Sequence, residues 1–183
     1  MATLSQTKPP LGWTAKDFDL EGTDGKNHRL ADLRGAKGTL VMFICNHCPY
    51  VQAVLDDIIA DGRELAAAGI ASVAIMPNDT RAYPADSFDN MKRLAKEKRF
   101  PFPYLLDETQ AVARAYDAAC TPDFFGFNAD LSLQYRGRIY DVRNRQRVPG
   151  SKRELYEAMT QIARSGRGPE DQTPSMGCSI KWK

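Results

Sequence analysis

The strongest constraint on the fold is a strand–helix–strand pattern in the first half of the chain. "GTLVMFI" (38–44) is a continuous apolar run, which predicts a strand buried on both faces. Residues 49–69 then carry apolar side chains at helical spacing and end at Gly69, and "IASVAIM" (70–76) predicts a second buried strand. Two strands joined through a helix in this way form a parallel pair with a right-handed crossover.

The segments around this unit predict an α/β fold, a central mixed β-sheet flanked by helices. We expect an N-terminal extension (1–13), one domain (14–165) and a C-terminal tail (166–183). The domain elements outside the central unit are a β-hairpin at 17–30, a helix at 86–100 capped by Asp86, a strand at 102–107, a helix at 108–119 capped by Asp107, a hairpin of strands 123–128 and 132–142, and a last helix opened by a capping box at Ser151.

Length and charge exclude several classes of function. The chain has 183 residues, enough for one well-filled domain, and its net charge of +2 gives no reason to expect nucleic acid or an anionic membrane as a partner. No apolar run approaches the roughly 18 residues that span a bilayer. The first residues show no basic stretch followed by an apolar core, so we expect a soluble, cytoplasmic protein.

Two cysteines occupy the turn between the first buried strand and the helix. "FICNHCPYV" (43–51) places Cys45 and Cys48 three residues apart, and a reducing cytosol favours redox chemistry for such a pair. A helix N-terminus stabilises a thiolate, the form in which cysteine attacks. We therefore predict Cys45, at the cap or first helical position, as the exposed and acidic nucleophile. Cys48, one turn deeper, would resolve the mixed disulfide.

The arrangement of these motifs resembles the thioredoxin fold. The segment "FDLEGTDGKNHRLADLRGAKGTLVMF" is similar to the redoxin branch, the AhpC/TSA-like and ResA-like proteins. The combination of "FICNHCPYV", "PFPYLLDE", "CTPDFF" and "GCSIKWK" resembles an uncharacterised bacterial branch with a CNHC motif. Ile44 stands where thioredoxins have Trp, and Asn46-His47 stands where they have Gly-Pro.

This resemblance implies a thiol-disulfide oxidoreductase without an organic cofactor. Thr121-Pro122 would be a cis pair that faces the cysteines and binds substrate. His47, directly before Cys48, would tune the thiolate pKa. The implied partners are a thiol or disulfide substrate and a reducing partner, and both a monomer and a homodimer are compatible with the sequence.

Two alternatives stay open at this point. A peroxiredoxin-like thiol peroxidase would use Cys48 in the peroxidatic place, although Cys45 and Val41 then replace the Thr and Pro of the peroxiredoxin motif. A metal-binding or copper-chaperone-like module would use the same pair, but Cys120 and Cys178 are too far apart in sequence to predict a metal ligand set. These two cysteines are possible additional redox thiols, and the apolar residues around Cys178 predict a tail docked near the site.

Overall fold

The computed structural model describes residues 2–6 and 10–183, so the predicted extension, 1–13, lies partly outside the described residues. The strands are β1 (Ala2–Leu4), β2 (Asp19–Gly22), β3 (Asn27–Arg29), β4 (Gly38–Phe43), β5 (Ile70–Met76), β6 (Tyr104–Leu106), β7 (Cys120–Thr121), β8 (Asp123–Asn128), β9 (Leu133–Tyr135), β10 (Val142–Arg143), β11 (Gln146–Arg147) and β12 (Met176–Ser179). The α-helices are α1 (Leu30–Leu33), α2 (Pro49–Gln52), α3 (Leu55–Ala67), α4 (Phe88–Glu97), α5 (Ala111–Ala115) and α6 (Glu154–Ser165).

A seven-stranded mixed sheet in the order β3-β2-β6-β5-β4-β8-β9 forms the centre of the molecule. β4 pairs in parallel with β5 and antiparallel with β8, so Val41 lies between Val73 and Phe125. All six residues of β4 are buried, as expected for a central strand covered on both faces. The predicted mixed sheet and the N-terminal hairpin, β2–β3, are confirmed.

The core divides into two clusters, one on each face of this sheet. Alternate residues of β4 supply both: Leu40 and Met42 belong to one cluster, Val41 and Phe43 to the other. The cluster that contains Leu40 also includes both Cys45 and Cys48, packed with side chains of α3 and α6. The cysteine pair is therefore part of the core and not a surface feature.

Four predicted helices differ from the structure: one is interrupted, and three begin later in the sequence than predicted. The single helix expected over 49–69 is interrupted: the N–H of Val54 bonds to Val51 O, an i−3 bond that tightens the chain before α3 begins at Leu55. The helix after β5 begins at Phe88 and is capped by Ser87, whose Oγ accepts the N–H of Asn90 at 3.3 Å.

The other two N-termini also shift toward the C-terminal side. α5 begins at Ala111, and Asp107 accepts the N–H of Ala113 at 2.8 Å from outside the helix. α6 begins at Glu154 with no side-chain cap, because Ser151 Oγ accepts a hydrogen bond from Arg147 Nε instead. Ser151 therefore has another partner, whereas Asp107 still accepts an N–H group from the first turn of α5, although it lies outside the helix.

The C-terminal tail folds back onto the domain. β12 lies between β1 and β7 in a three-stranded antiparallel sheet, with Cys178 opposite Ala2 on one side and Thr121 on the other. The sequence predicted that this segment docks but did not predict a strand. Among residues 2–6 and 10–183, no helix has both the length and the apolar character needed to cross a membrane.

Candidate active site

The loop 44–48 connects the end of β4 to the start of α2 and carries both cysteines. Cys48 is the N-cap residue of α2 and Pro49 is the first helical residue. A residue before proline is disfavoured in the helical region, and Cys48 has an extended backbone with φ −68° and ψ 121°. The prediction that Cys45 occupies the helix N-terminus is therefore wrong, because Pro49 places that position at Cys48.

Thr121 contacts both sulfur atoms. Its hydroxyl lies 3.4 Å from Cys45 Sγ, and its carbonyl oxygen lies 3.1 Å from Cys48 Sγ, from which it accepts a hydrogen bond when Cys48 is protonated. The Thr121-Pro122 bond is cis, and the predicted proximity of this dipeptide to the cysteines is confirmed. Both cysteine side chains are almost fully buried, with 1% of Cys45 and none of Cys48 exposed.

The two thiols hold their protons with unequal strength. Hydrogen bonding from Cys45 lowers the pKa of Cys48 to about 5, and the side chain of Cys178 and the N–H groups of Val51 and Cys178 act in the same direction. The pKa of Cys45 is raised by its hydrogen bond to Cys48, by burial and by the nearby carboxylate of Asp86. The expectation that Cys45 is the more acidic thiol is reversed, and exposure does not distinguish the pair.

Asp86 is a buried carboxylate that holds the cysteine loop in place. One oxygen accepts the N–H groups of Asn46 at 2.8 Å and His47 at 3.2 Å. The other accepts from His47 Nδ1 at 2.6 Å and from Asn78 Nδ2 at 2.9 Å. Since Asp86 is 0% exposed, these four donors compensate the cost of burying its charge.

Asn46, between the cysteines, is fixed by further hydrogen bonds. Its side-chain amide donates to Ala85 O at 3.1 Å, and its Oδ1 accepts from the Tyr104 hydroxyl at 2.9 Å. Its carbonyl oxygen accepts from Gln52 Nε2 at 3.1 Å. Hydrogen bonds from α2, from β6 and to the segment before α4 therefore hold the loop in place. They limit how far the two sulfur atoms can separate.

His47 faces Asp86 and is 30% exposed. Its ring stacks on Tyr83 with centroids 5.7 Å apart and an interplanar angle of 6°. Ligand atoms of Cys45, His47 and Asp86 all lie within 4.8 Å of one another. His47 is thus close enough to Cys45 to act on its charge, and the structure adds a carboxylate that the sequence did not place there.

The other two cysteines have different surroundings. Cys120 is fully buried in β7, its S–H donates to Pro122 O at 3.5 Å, and burial raises its pKa together with the carboxylate of Asp123. Cys178 is half-buried, packs against the cluster that holds the cysteine pair and helps to lower the pKa of Cys48. Of the two possible additional thiols, Cys178 reaches the site directly.

Asp86 is the main site residue that sequence reasoning assigned to another role. Adjacent polar residues, Asp86 and Ser87, both precede α4, and only one can be the N-cap. The remaining residue follows β5, whose carboxyl end lies beside the carboxyl end of β4 in a parallel pair. That geometry is a signal that a buried acid could face the cysteine loop.

The sequence profile of the AhpC/TSA family matches residues 11–139. The chain belongs to the AhpC/TSA family. A curated relative, the thiol-disulfide oxidoreductase ResA of Geobacillus thermodenitrificans (strain NG80-2), is 27% identical over 127 residues, 66% of this chain and 64% of that protein. The chain therefore spans less than two thirds of the length of this relative.

Two solved structures are much more similar to this AhpC/TSA protein. A conserved protein from Geobacillus kaustophilus is 45% identical with a TM-score of 0.94, over 100% of this chain and 97% of the other. A hypothetical protein from Sinorhizobium meliloti 1021 is 35% identical with a TM-score of 0.91, over 99% and 98%. A thioredoxin family protein from Chlorobium tepidum TLS, 18% identical with a TM-score of 0.62 over 85% of this chain and 99% of the other, has the same fold. The fold is therefore thioredoxin-like, as predicted.

We expect Asp86→Ala to destabilise the protein by about 3 kcal/mol or more, because buried donors that lose their acceptor cost about 1–3 kcal/mol each. The free energy of unfolding in urea measures this loss. Asp89→Ala, an exposed acid in the first turn of α4, is the matched control and should change stability by less than about 0.5 kcal/mol. Equal effects of the two substitutions would contradict the role given to Asp86.

Titration of the reduced protein should reveal one thiolate with a midpoint near pH 5, read from ultraviolet thiolate absorbance. Cys45→Ala should move the midpoint upward, because it removes the principal hydrogen-bond donor to Cys48, whereas Cys120→Ala should leave it in place. The lowered pKa also stabilises the reduced fold above the ordinary value of 9.0, and this stabilisation disappears as pH falls toward 5. A midpoint above pH 8 in the unmodified protein would contradict the assignment.

Proposed function

We propose that this AhpC/TSA protein is a thiol-disulfide oxidoreductase whose redox centre is the Cys45–Cys48 pair. The observation that carries the proposal is the shared environment of the two sulfur atoms: both contact Thr121, and their pKa values are pulled in opposite directions. A pair that holds one proton between two sulfur atoms contains a ready thiolate at neutral pH. The similarity to a ResA oxidoreductase supports the same chemistry.

In the proposed reaction the Cys48 thiolate attacks a disulfide substrate and releases one substrate thiol. Cys45 then attacks Cys48 Sγ in the mixed disulfide, releases the second thiol and leaves a Cys45–Cys48 disulfide. A thiol donor, the reducing partner, restores the dithiol. These roles exchange those expected from the sequence, since the helix N-terminus lies at Cys48. His47 and Asp86 would set the charge beside Cys45.

A cavity of about 810 Å³ beside Pro122 supports a small anionic substrate. Tyr50, Val54 and Met176 contribute apolar surface, and Arg143 and Arg145 bring positive charge. A disulfide with an apolar body and carboxylate groups matches this combination of apolar wall and basic rim. Glutathione disulfide, whose carboxylates outnumber its ammonium groups, is an available probe for the basic rim.

We expect the protein to catalyse reduction of glutathione disulfide by dithiothreitol, and Cys48→Ser to abolish catalysis. Cys45→Ser should reduce the rate at least about tenfold, because it removes one of the two thiols of the proposed cycle. Cys120→Ser, which changes a buried thiol outside the pair, should retain the full rate. Activity that survives Cys48→Ser would overturn the proposal, and a rate seen only with hydrogen peroxide would favour the thiol peroxidase.

Metal binding is a second candidate, favoured by the grouping of Cys45, His47 and Asp86. Zinc accepts sulfur, imidazole nitrogen and carboxylate oxygen as ligands at about 2.0–2.3 Å. Cys48 would complete a set of four. Against this, the Asp86 carboxylate already accepts four hydrogen bonds, and His47 Nδ1 is one of its donors.

Anaerobic zinc titration of the reduced protein separates the two candidates. On the redox proposal we expect no saturation at one equivalent, because ligation would require Asp86 to give up its bond with His47. Competition with a chromophoric chelator measures the stoichiometry, and His47→Gln is the matched variant. Tight binding at one equivalent that His47→Gln removes would establish the metal function.

A further inference from the structure

The C-terminal strand covers the edge of β7 next to the cysteine pair. Cys178 is in register with Thr121, the residue that contacts both sulfur atoms. Gly177 lies directly against the same residue, since a Cβ added there would be 2.0 Å from Thr121 O. Glycine is required at this position for the two backbones to approach so closely.

The Cys178 side chain reaches the redox pair from this strand. Cys178 is the register partner of Thr121, whose carbonyl oxygen lies 3.1 Å from Cys48 Sγ, and its thiol and N–H lower the pKa of Cys48. Cys178 also packs against the core cluster that contains Cys45 and Cys48. Cys48 consequently has two neighbouring thiols, Cys45 in its own loop and Cys178 in the tail.

The residues after β12 hold the strand in this position. Lys181 O accepts the N–H of Asp79 and the side-chain amide of Gln110, both at 2.8 Å. The N–H of Lys181 donates to Asn78 Oδ1 at 2.9 Å, and Asn78 also donates to Asp86. The tail and the cysteine loop are thus linked through the same buried polar network.

We propose that Cys178 is a third redox thiol, which exchanges with the Cys45–Cys48 disulfide and forms a Cys48–Cys178 disulfide. This inference rests on the proposed redox function of the pair. The Cys178 thiolate attacks Cys48 Sγ, the Cys45–Cys48 bond breaks, and its electron pair leaves on Cys45. The proton given up by Cys178 goes to Cys45, so the exchange needs no further oxidant or reductant.

Electrostatics couples this exchange to the redox state of Cys48. Burial raises the pKa of Cys178 to about 11, and the adjacent Cys48 adds to the rise. A Cys48 sulfur in a disulfide carries no negative charge, so oxidation of the pair removes that contribution. The positive charge of Lys181 acts in the opposite direction and favours the thiolate. Cys178 is therefore less reactive beside reduced Cys48 and more reactive beside oxidised Cys48.

Cys120 provides the matched control for this proposal. It lies one residue before Thr121 and is also a reduced thiol near the site. Its S–H donates to Pro122 O, on the chain segment that follows, and burial and Asp123 keep its pKa raised. A general effect of losing a nearby thiol would appear in variants of Cys120 and of Cys178 alike.

The test uses Cys45→Ser, in which Cys178 is the thiol left beside Cys48. One equivalent of DTNB (5,5′-dithiobis-2-nitrobenzoate) should release two thionitrobenzoate ions per chain, and peptide mapping should find a Cys48–Cys178 link. Cys45→Ser/Cys178→Ser should release one ion and keep an adduct. Cys45→Ser/Cys120→Ser should again release two. Circular dichroism of each variant checks that the fold is retained.

The outcomes separate this inference from the redox function. Release of one ion or none from Cys45→Ser, without the Cys48–Cys178 link, overturns the third-thiol proposal. If the unmodified protein still reduces glutathione disulfide in that case, the redox function stands without Cys178. Formation of the Cys48–Cys178 link in a protein that does not turn over the substrate would instead leave the exchange intact and remove the proposed function.

Discussion

The buried carboxylate of Asp86 is the interaction on which the geometry of the site depends. It accepts hydrogen bonds from two backbone N–H groups of the cysteine loop, from His47 and from Asn78. Asn78 in turn binds the backbone of Lys181 in the tail. A single charge with no exposure therefore connects the loop after β4, the segment after β5 and the C-terminal end of the chain. Each partner compensates part of the cost of burying that charge.

The same carboxylate contributes to the inequality of the two thiols. It disfavours a second negative charge at Cys45, while Cys48 receives N–H groups from α2 and from the tail. The first cysteine of a C-x-x-C motif at a strand-to-helix turn is normally expected to gain most from the helix N-terminus. Here Pro49 places that N-terminus three residues later, at Cys48, and the hydrogen bond from Cys45 together with the N–H of Val51 lowers the pKa of Cys48 instead.

The three-stranded sheet of β1, β12 and β7 lies beside the cysteine pair. β12 pairs with both β1 and β7, so the two ends of the chain meet beside Thr121. The cavity beside Pro122 adjoins this strand, since Met176 of β12 is one of its lining residues. The strand that lies over the sulfur atoms, Met176–Ser179, also carries the thiol of Cys178. The same four residues therefore shield the pair and supply the proposed third thiol.

The sequence alone determined the β4–α–β5 unit and the position of the cysteine pair, because apolar periodicity and a local motif carry that information over short distances. The cis proline opposite the pair was implied by the resemblance to the thioredoxin fold. The N-termini of the helices at Phe88 and Glu154 depended on which partner each polar side chain found, and the start at Leu55 depended on the backbone bond between Val54 and Val51. Only the tertiary structure decided that Asp86 faces the cysteines and that Cys178 reaches Cys48. Both contacts join residues tens of positions apart, and they are selected by the need to pair a buried charge and to cover the edge of β7.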